Sequence, residues 1–432
     1  MSTDLSSGRR EGSDRVEISK ECGWWSFATA SRVTFGVGAS RCLGQAVRSV
    51  GNRAVLCTDR NIVDAGIIDA LLDGMRDEHG VEVLVFDEGR EEVGLAYVED
   101  CVDAVREFAP RVVVGVGGGS DLDLAKVMAV RLVSDRPVVS WPTEAGVPSG
   151  ALPMIAVPTT AGTGSEVTRI AVMTDESAKS KVGMSSDVFL PTAALVDPLL
   201  TLSCPPSVTA YSGMDAITHA IEAYLAVDYR DRAMSAYGGQ GFVGKNPLSD
   251  VLALRAVGLI GEHLVRAYKD GSDVEARTAM ALGSLFAGMA FSSAGTSVVH
   301  ALQYPIGAVT GTAHGLGNAL LLPAAVRFSL GVRRLEAGAL ARQLGATAEG
   351  DDEAAEELPR RLEALARAVG IARSLRSIGV EEGQLPAIAK VAFGIRRLVE
   401  NSARPVDEAD LLDILRDAFA GSPGAAEKAE GR

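Results

Sequence analysis

Short apolar runs alternate with amphipathic segments in the first half of the chain. The runs are too short for helices and predict buried strands at residues 53–59, 81–86, 111–116, 154–157, 170–174 and 193–196. Apolar positions at helical spacing predict a helix before the first of these strands, at residues 39–50. They predict two more in the next two gaps between strands, at 62–78 and 96–108. An aromatic and β-branched segment at 24–35 predicts one more strand or a hairpin. This alternation favours a parallel sheet covered by helices.

The second half of the chain predicts helices only. Strand patterns stop near residue 205, and helical periodicity then predicts segments at residues 208–225, 247–268, 274–291, 315–328, 334–344 and 353–369. A further helix opens near Thr296, and two or three more follow residue 369. We therefore expect an α/β domain over 21–204 and an all-helical domain over 205–420. The segments 1–20 and 421–432 are predicted to be disordered tails.

Length and composition agree with two domains and argue against nucleic acid or an anionic membrane as a partner. A length of 432 residues exceeds one ordinary core, and 47% of the residues are hydrophobic. The net charge of -14 is opposite to the basic footprint that nucleic acid or an anionic membrane requires. Scattered cysteines without C-x-x-C, a polar segment 1–20, and apolar runs shorter than about 18 residues favour a cytoplasmic protein without a membrane span.

A glycine-rich turn follows a predicted Val-rich strand. Gly117, Gly118 and Gly119 precede Ser120 and Asp121, either of which can cap the next helix. Glycines let the backbone approach a ligand, and free N–H groups at a helix start suit a pyrophosphate. The turn is neither a G-x-G-x-x-G motif nor a Walker A loop, so a tight turn that merely needs glycines is the alternative.

Two further features lie where predicted strands end. Thr159, Thr160 and Thr163 form a hydroxyl-rich turn after one strand, although such clusters are also ordinary loops. Asp59 ends an earlier strand, where an acid can bind an adenosine ribose and favour NAD over NADP, or can cap a helix. Ligands bind at the carboxyl edge of a parallel sheet, so these loops predict one dinucleotide site.

Four residues have the spacing and chemistry of a metal site. Asp215 and His219 are four residues apart and face the same side of a predicted helix. His300 and His314 lie in one segment interrupted by glycine and proline. One carboxylate with three neutral imidazoles suits Fe(II) or Zn(II), whereas a lone histidine is more often structural. The other two of the five histidines are given no role.

Taken in order, these motifs resemble those of the iron-containing (group III) alcohol dehydrogenases over roughly residues 30–420. The matching segments are 117–126, 158–168, 196–198, 213–222, 300–307 and 314–315. The resemblance implies an N-terminal Rossmann-like α/β domain and an all-α C-terminal domain, the dehydroquinate synthase-like fold. It also implies a metal in the cleft between the domains, an NAD(P) cofactor, a small-molecule substrate and a homodimer.

The resemblance assigns roles residue by residue. The metal ligands that it implies are Asp215, His219, His300 and His314, with Fe(II) favoured and Zn(II) as the alternative. The residues that it places at the cofactor phosphates are Gly117, Gly118, Gly119, Ser120, Asp121, Thr159, Thr160 and Thr163. Asp59 matches the acid associated with NAD preference. Asp123 and Lys181 match positions near the nicotinamide side of the cleft.

Two departures from the common family pattern point to a branch. Many members have a second histidine four residues after the third ligand, and Tyr304 stands there. The connection over 228–250 is longer than usual. Both features resemble the branch with hydroxyacid–oxoacid transhydrogenases and phosphonoacetaldehyde reductases, which implies an anionic substrate. Arg169 and Lys245 could meet its anionic group, or both could be solvated surface residues.

We therefore expect a metal-dependent, NAD(H)-linked alcohol dehydrogenase that interconverts a small anionic aldehyde and its primary alcohol by hydride transfer. Tyr304 is expected to donate a proton or orient the substrate, with a packing role as the alternative, because a phenol of pKa about 10 is a poor base near neutral pH. The alternatives are a transhydrogenase with tightly held cofactor and a zinc glycerol-dehydrogenase-like enzyme. A non-enzymatic scaffold would have no use for both the phosphate loops and a metal-ligand set.

Overall fold

The first half of the chain forms a six-stranded parallel sheet with a separate hairpin beside it. The computed structural model describes residues 23–142, 146–177, 180–232 and 241–421. Its strands are β1 Val33–Phe35, β2 Arg53–Asp59, β3 Glu82–Gly89, β4 Val112–Gly117, β5 Met154–Pro158, β6 Ile170–Asp175, β7 Ser180–Ser185 and β8 Ala193–Val196. The sheet order is β1-β8-β5-β4-β2-β3, while β6 and β7 pair with each other in antiparallel register.

Helices cover both faces of this sheet. They are α1 Leu43–Arg48, α2 Arg60–Asp64, α3 Asp69–Asp73, α4 Tyr97–Arg106 and α5 Gly119–Arg131. Alternate side chains of β2 point to opposite faces, so Val55 and Cys57 pack in one apolar cluster and Ala54 and Leu56 in the other. Fully burying a side chain as large as Val55 or Leu56 stabilises the fold by roughly 1.5–3 kcal/mol.

The structure refines three local predictions about the first half. The helix predicted over 62–78 is broken, because Gly66 takes a left-handed φ of 69° between α2 and α3. The strand predicted at 170–174 is present as β6, but it pairs with β7 outside the six-stranded sheet, and Thr174 forms a further bridge to Gly94. Of the segment 24–35, only Val33–Phe35 is a strand.

The second half is helical, as the sequence predicted. Its helices are α6 Pro206–Leu225, α7 Pro247–Lys269, α8 Val274–Ala294, α9 Val298–Thr310, α10 His314–Ser329, α11 Arg334–Gln343, α12 Asp351–Ala368, α13 Leu385–Gly394, α14 Arg396–Val399 and α15 Glu408–Ala420. They enclose the largest apolar core of the molecule. The predicted tails at 1–20 and 421–432 lie outside the described residues, apart from Gly421.

The helical half packs directly against the end of the sheet formed by β1 and β8. One apolar cluster joins Ala194 and Val196 of β8 to Ala281 and Leu285 of α8. Backbones also meet closely here, since a Cβ on Gly164 would lie 2.4 Å from the Cα of Gly288. This contact fixes the loop after β5 against the helices.

Within the described ranges, no single helix combines the length and apolar composition of a membrane span. The pair α8 and α9 reaches that length and composition only when both are counted together, and it is bent by 104°.

Candidate metal and cofactor site

The glycine-rich turn forms the start of α5 at the carboxyl edge of the sheet. Gly117 ends β4 with φ 154°, in the region that favours glycine. A Cβ there would lie 2.2 Å from Asp121 Oδ2, so no side chain fits. The backbone N–H of Gly118 donates to the same carboxylate at 3.2 Å. The turn therefore opens a helix with small residues at its start, a geometry that suits a phosphate group.

The threonine-rich turn lies directly against the glycine-rich turn. The backbone N–H of Thr159 donates to the carbonyl of Gly117 at 2.9 Å. Added Cβ atoms on Gly118 and Gly119 would lie 3.8 Å from Thr160 Cγ2 and 2.6 Å from Thr163 Cγ2. The structure thus brings the two predicted cofactor loops together at the ends of neighbouring strands β4 and β5.

Asp59 lies at the end of β2, the strand on the other side of β4. Its carboxylate accepts the backbone N–H groups of Asn61 at 2.6 Å and Ile62 at 3.1 Å, so it caps α2. Burial and then the neighbouring Asp59 raise the pKa of Asp121 to about 7. The helix-cap interpretation is therefore correct, and the position at the cofactor edge also agrees with a role beside the adenosine ribose.

Three of the four predicted metal ligands present their donor atoms to one point. Donor atoms of Asp215 on α6, His300 on α9 and His314 at the start of α10 all lie within 4.8 Å of one another. Asp215 Oδ1 is 3.9 Å from His300 Nε2 and 3.6 Å from His314 Nε2. One oxygen and two imidazole nitrogens form a donor set that suits a divalent transition metal.

His219, the fourth predicted ligand, lies beside this set. Its ring stacks between Phe291 and His300, with centroid separations of 4.1 Å and 4.7 Å. Its Nδ1 is buried without a hydrogen-bond partner and lies 3.9 Å from Asp215 Oδ2. A buried polar nitrogen without a partner is costly, and a metal in the cluster would relieve that cost.

Two buried acceptors orient the ligand imidazoles. His300 Nδ1 lies 2.5 Å from Glu222 Oε2, and His314 Nδ1 lies 2.5 Å from Gln303 Oε1. An acceptor on Nδ1 keeps the proton there and leaves the Nε2 lone pair facing the cluster. Glu222 also accepts the backbone N–H of Val299 at 2.7 Å, so the carboxylate fixes the start of α9 as well as the ring.

The side-chain amide of Asn318 marks the point where the three donor atoms converge. Its Nδ2 lies 2.7 Å from Asp215 Oδ1, 3.1 Å from His314 Nε2 and 3.3 Å from His300 Nε2. An amide nitrogen has two hydrogens, so it cannot satisfy three converging lone pairs. A divalent cation can accept all three, and the residues present therefore fit the metal that the family resemblance implies.

Burial and mutual charge set the protonation of this cluster. Burial lowers the pKa of His219 to about 4 and that of His314 to about 3. For Asp215, burial acts to raise the pKa, but the surrounding imidazoles and Asn318 outweigh it and the pKa is lowered. Neutral imidazoles around an ionised carboxylate are the protonation state that binds metal at neutral pH.

One cavity connects the cofactor loops with the metal-ligand cluster. It holds about 860 Å³ of empty space. The sequence-predicted residues that line it are Gly119, Ser120, Asp123, Thr163, Lys181, Asp215, His219, His300, Tyr304 and His314. A dinucleotide on the loops and a metal in the cluster would therefore face the same space.

Asp123, Lys181 and Tyr304 all reach this cavity but differ in their partners. The Asp123 carboxylate accepts the Ser165 hydroxyl at 2.6 Å and the backbone N–H of Val172 at 2.8 Å, so both oxygens are occupied in holding neighbouring backbone. The Lys181 ammonium pairs with Glu92 at 3.0 Å. Tyr304 lies one helical turn after His300, and its ring centroid is 6.1 Å from that of His314.

Arg169 and Lys245 do not line this cavity, and their prediction as substrate-binding cations is corrected. Arg169 is buried and pairs with Asp187 at 3.1 Å. Lys245 pairs with Asp250 and lies 4.2 Å over the ring of Tyr224. Each cation has its own partner in the fold, which explains why neither is directed to the cleft.

Sequence reasoning missed four residues of the site. They are Glu222, Gln303, Asn318 and Arg397. A local signal existed for the first three, because each lies three or four residues from a ligand on the same helix, or between two ligands in one segment. Arg397 lies on α14, far from every motif, and gave no such signal.

Comparisons with known proteins agree with this geometry. The family described as "Iron-containing alcohol dehydrogenase" matches residues 30–198, and "Fe-containing alcohol dehydrogenase family, C-terminal" matches 209–419. The chain is 38% identical to long-chain-alcohol dehydrogenase 1 of Geobacillus thermodenitrificans, over 90% of this chain and 95% of that protein. It is 31% identical to the mitochondrial hydroxyacid-oxoacid transhydrogenase of Pongo abelii, over 89% and 88%.

Solved structures of related enzymes have the same fold. A 1,3-propanediol oxidoreductase superposes with a TM-score of 0.85 at 32% identity, covering 92% of this chain and 100% of that one. The sulfoacetaldehyde reductase of Bifidobacterium kashiwanohense in complex with NAD+ superposes with a TM-score of 0.79 at 27% identity, covering 91% and 98%.

The chain therefore belongs to the iron-containing alcohol dehydrogenase family and is an enzyme of that family. The expected fold class, an α/β domain followed by a helical domain, is confirmed. The expected homodimer and cytoplasmic location stay predictions.

Proposed function

We propose that this iron-containing alcohol dehydrogenase interconverts a small anionic aldehyde and its primary alcohol, using NAD(H) and an Fe(II) ion held by Asp215, His219, His300 and His314. The observation that carries the proposal is the single cavity that the cofactor loops and the metal-ligand cluster share. Its consequence is that nicotinamide, metal and substrate would meet in one space.

Different residues would support the metal and the cofactor. When bound, the metal would supply a Lewis acid for the carbonyl oxygen, and the nicotinamide would supply the hydride. Glu222 and Gln303 hold His300 and His314 in the tautomer that keeps Nε2 free. Gly117 and Gly118 lie at the turn before α5, where backbone N–H groups at the helix start would bind the cofactor phosphates.

Tyr304 is proposed to act as a proton donor or an orienting group. Burial raises the pKa of its phenol, although the nearby Arg397 guanidinium acts to lower it. The hydroxyl therefore keeps its proton near neutral pH and cannot serve as a base there. A buried phenol on the helix that carries His300 is well placed to donate a hydrogen bond to a substrate oxygen.

Asp59 supports the preference for NAD(H). Its carboxylate lies at the cofactor edge beside Asp121, so negative charge is concentrated where an NADP ribose would carry its phosphate. Support for an anionic substrate comes from Tyr304 in place of the usual histidine and from relatives named sulfoacetaldehyde reductase and hydroxyacid-oxoacid transhydrogenase.

The test measures NADH consumption by Fe(II)-reconstituted protein over three aldehydes: pentanal, succinic semialdehyde and phosphonoacetaldehyde. We expect turnover with a clear preference for one of the two anionic aldehydes. Equal rates with pentanal would contradict the anionic substrate, and no turnover with any aldehyde would contradict the reductase.

Two rival activities are tested by companion assays. Hydroxyacid-oxoacid transhydrogenation, favoured by the relative of that name, would convert 4-hydroxybutyrate and an oxoacid without release of free NADH. A polyol dehydrogenase would instead oxidise glycerol with NAD+ after loading with Zn(II). Activity in either assay that exceeds aldehyde reduction would replace the proposed reaction.

A further inference from the structure

We propose that Arg397 binds the anionic group of the substrate and sets the preference of the enzyme for anionic aldehydes. This inference rests on the proposed function, because it names the residue that would recognise the charge of that substrate. It replaces Arg169 and Lys245, which the fold uses elsewhere.

Arg397 places a guanidinium in the cavity that contains the metal-ligand cluster. It lies on α14 of the helical half, is half-buried, and lines the cavity together with Tyr304 and His314. Its Cζ is 5.7 Å from the ring centroid of Phe242, which forms an apolar side of the same space. The guanidinium therefore lines the cavity beside an apolar ring.

No carboxylate neutralises this guanidinium within the described residues. Every other cation at or near the cleft has an acidic partner: Lys181 pairs with Glu92 at 3.0 Å, and Arg169 pairs with Asp187 at 3.1 Å. A half-buried cation without a counter-charge is unfavourable, and an anionic ligand would supply the missing charge. A guanidinium also matches the planar oxygen pairs of carboxylate, sulfonate and phosphonate groups.

Gly183 on β7 provides the space that the guanidinium occupies. A Cβ on Gly183 would lie 2.0 Å from Arg397 Nη2. The backbone of Gly183 does not have the positive φ that requires glycine, so its missing side chain is explained by the contact and not by backbone conformation. The hairpin and α14 thus leave space for one charged group that lines the cavity.

Tyr304 lies between the guanidinium and the metal-ligand cluster. The Tyr304 phenol lies within hydrogen-bonding reach of the Arg397 guanidinium, and the centroid of its ring lies 6.1 Å from that of His314. A substrate with its anion on Arg397 and its carbonyl at the cluster would span one tyrosine side chain. That span suits an aldehyde with only a few carbons between the two groups.

The experiment compares Arg397→Gln with Arg396→Gln in Fe(II)-loaded protein with NADH. Arg396 is the matched control, since it is the preceding residue, is exposed, and pairs with Glu400 at 3.0 Å. For succinic semialdehyde, Arg397→Gln should lower kcat/KM by about 10- to 150-fold, mainly through KM, because charged hydrogen bonds are lost. For pentanal, kcat/KM should change by less than about threefold, and Arg397→Lys should recover part of the loss.

Two further measurements keep the outcome decisive. Propane-1-sulfonate should bind the NADH complex of the wild type at least about tenfold more tightly than that of Arg397→Gln, measured by NADH fluorescence without turnover. Gly183→Ala should weaken sulfonate binding in the same direction, because the added methyl displaces the guanidinium. If Arg397→Gln does not fold, Gly183→Ala tests the role of Arg397 in its place.

Failure of this inference differs from failure of the proposed function. If Arg397→Gln keeps the wild-type preference for succinic semialdehyde and the wild-type affinity for propane-1-sulfonate, Arg397 is not the anion-binding residue, while the reductase itself stands. If no aldehyde is reduced at all, the proposed function fails, and sulfonate affinity alone still supports or overturns the role of Arg397.

Discussion

The two walls of the cavity are built by different means. The sheet wall presents Gly119, Ser120, Thr163 and Ser165 to the cavity, and these residues belong to the turns at 117–121 and 159–165, which lie at strand ends beside Asp59. The helical wall, made of Asp215, His219, His300 and His314, presents four side chains from three helices. The first wall depends on the absence of side chains, and the second depends on their presence and orientation.

This difference predicts opposite sensitivities to mutation. An added methyl group damages the sheet wall, since a Cβ on Gly117 or Gly119 would collide with Asp121 or Thr163 and shift the turn. Removal of a side chain damages the helical wall, since the donor atoms converge on one point and the His300 and His314 rings are held by Glu222 and Gln303. Variants of one wall should therefore change one ligand and spare the other.

The largest effect is expected for His300→Ala, which removes one donor of the helical wall. Bound metal should be lost and turnover should fall about a thousand-fold or more, because a Lewis acid contributes several kcal/mol to the barrier. NADH affinity should change by less than about threefold. Metal analysis and NADH fluorescence measure the two effects. His79→Gln, outside the site, is the control, and equal loss of NADH binding would show that the walls are not independent.

The complementary variant of the sheet wall is Gly117→Ala. The added Cβ would lie 2.2 Å from Asp121 Oδ2 at a φ that disfavours alanine, so NADH affinity should fall on the order of 100-fold. Metal content should remain that of the wild type. Gly74→Ala is the matched control, since nothing lies within 4 Å of its added Cβ. Wild-type NADH affinity in Gly117→Ala would remove the glycine turn from the cofactor site.

Glu222→Gln tests whether orientation matters as much as ligation. Its carboxylate accepts from His300 Nδ1 and from the backbone N–H of Val299, and an amide can replace only part of this. Metal affinity should fall about 30-fold, in the range seen for partners of metal-bound histidines. Competition with a chelator measures it, with the exposed Glu275→Gln as control. Unchanged affinity would mean that packing alone orients His300.

Asp59→Asn separates charge from helix capping in the sheet wall. Asparagine caps helices as well as aspartate does, so the melting temperature should stay within about 2 °C of the wild type. Loss of the charge should shift the ratio of kcat/KM for NADPH over NADH upward by about tenfold. An unchanged ratio would leave Asp59 with its capping role only.

The smallest effect is expected for Tyr304→Phe. Removal of the hydroxyl should lower kcat about fivefold if it orients or donates to the substrate. Burial raises the pKa of Tyr304, so the protonated donor form persists as pH rises, and it would be lost only above the ordinary phenol value of about 10. The pH–rate profiles of both proteins should therefore be parallel from pH 6 to pH 9. A limb in this range that only the wild type shows would make Tyr304 a base.

The turns of the sheet wall could be predicted from the sequence, although some nearby elements could not, because the signals for the turns are local. Glycines and threonines at strand ends occupy a few consecutive positions, so the turns could be recognised without knowing the fold. The hairpin was missed because β7 is only partly buried and has no strong apolar alternation. The break at Gly66 was missed because the apolar spacing continues across it.

The helical wall was predictable only where its members share a helix or a segment. Asp215 and His219 are one turn apart on α6, and this spacing is visible in the sequence. The convergence of Asn318 on three ligand atoms depends on how α6, α9 and α10 pack. Arg397 could not be found for the same reason, and the two cations chosen instead have partners that only the tertiary structure brings near.

The most direct test of the account measures NADH-dependent reduction of succinic semialdehyde while the metal is removed and restored. The metal-ligand cluster and the cofactor loops share one cavity, so chelation should abolish turnover and leave NADH binding intact. Return of about one equivalent of Fe(II) per chain should restore the rate. Full activity in metal-free protein would contradict the account.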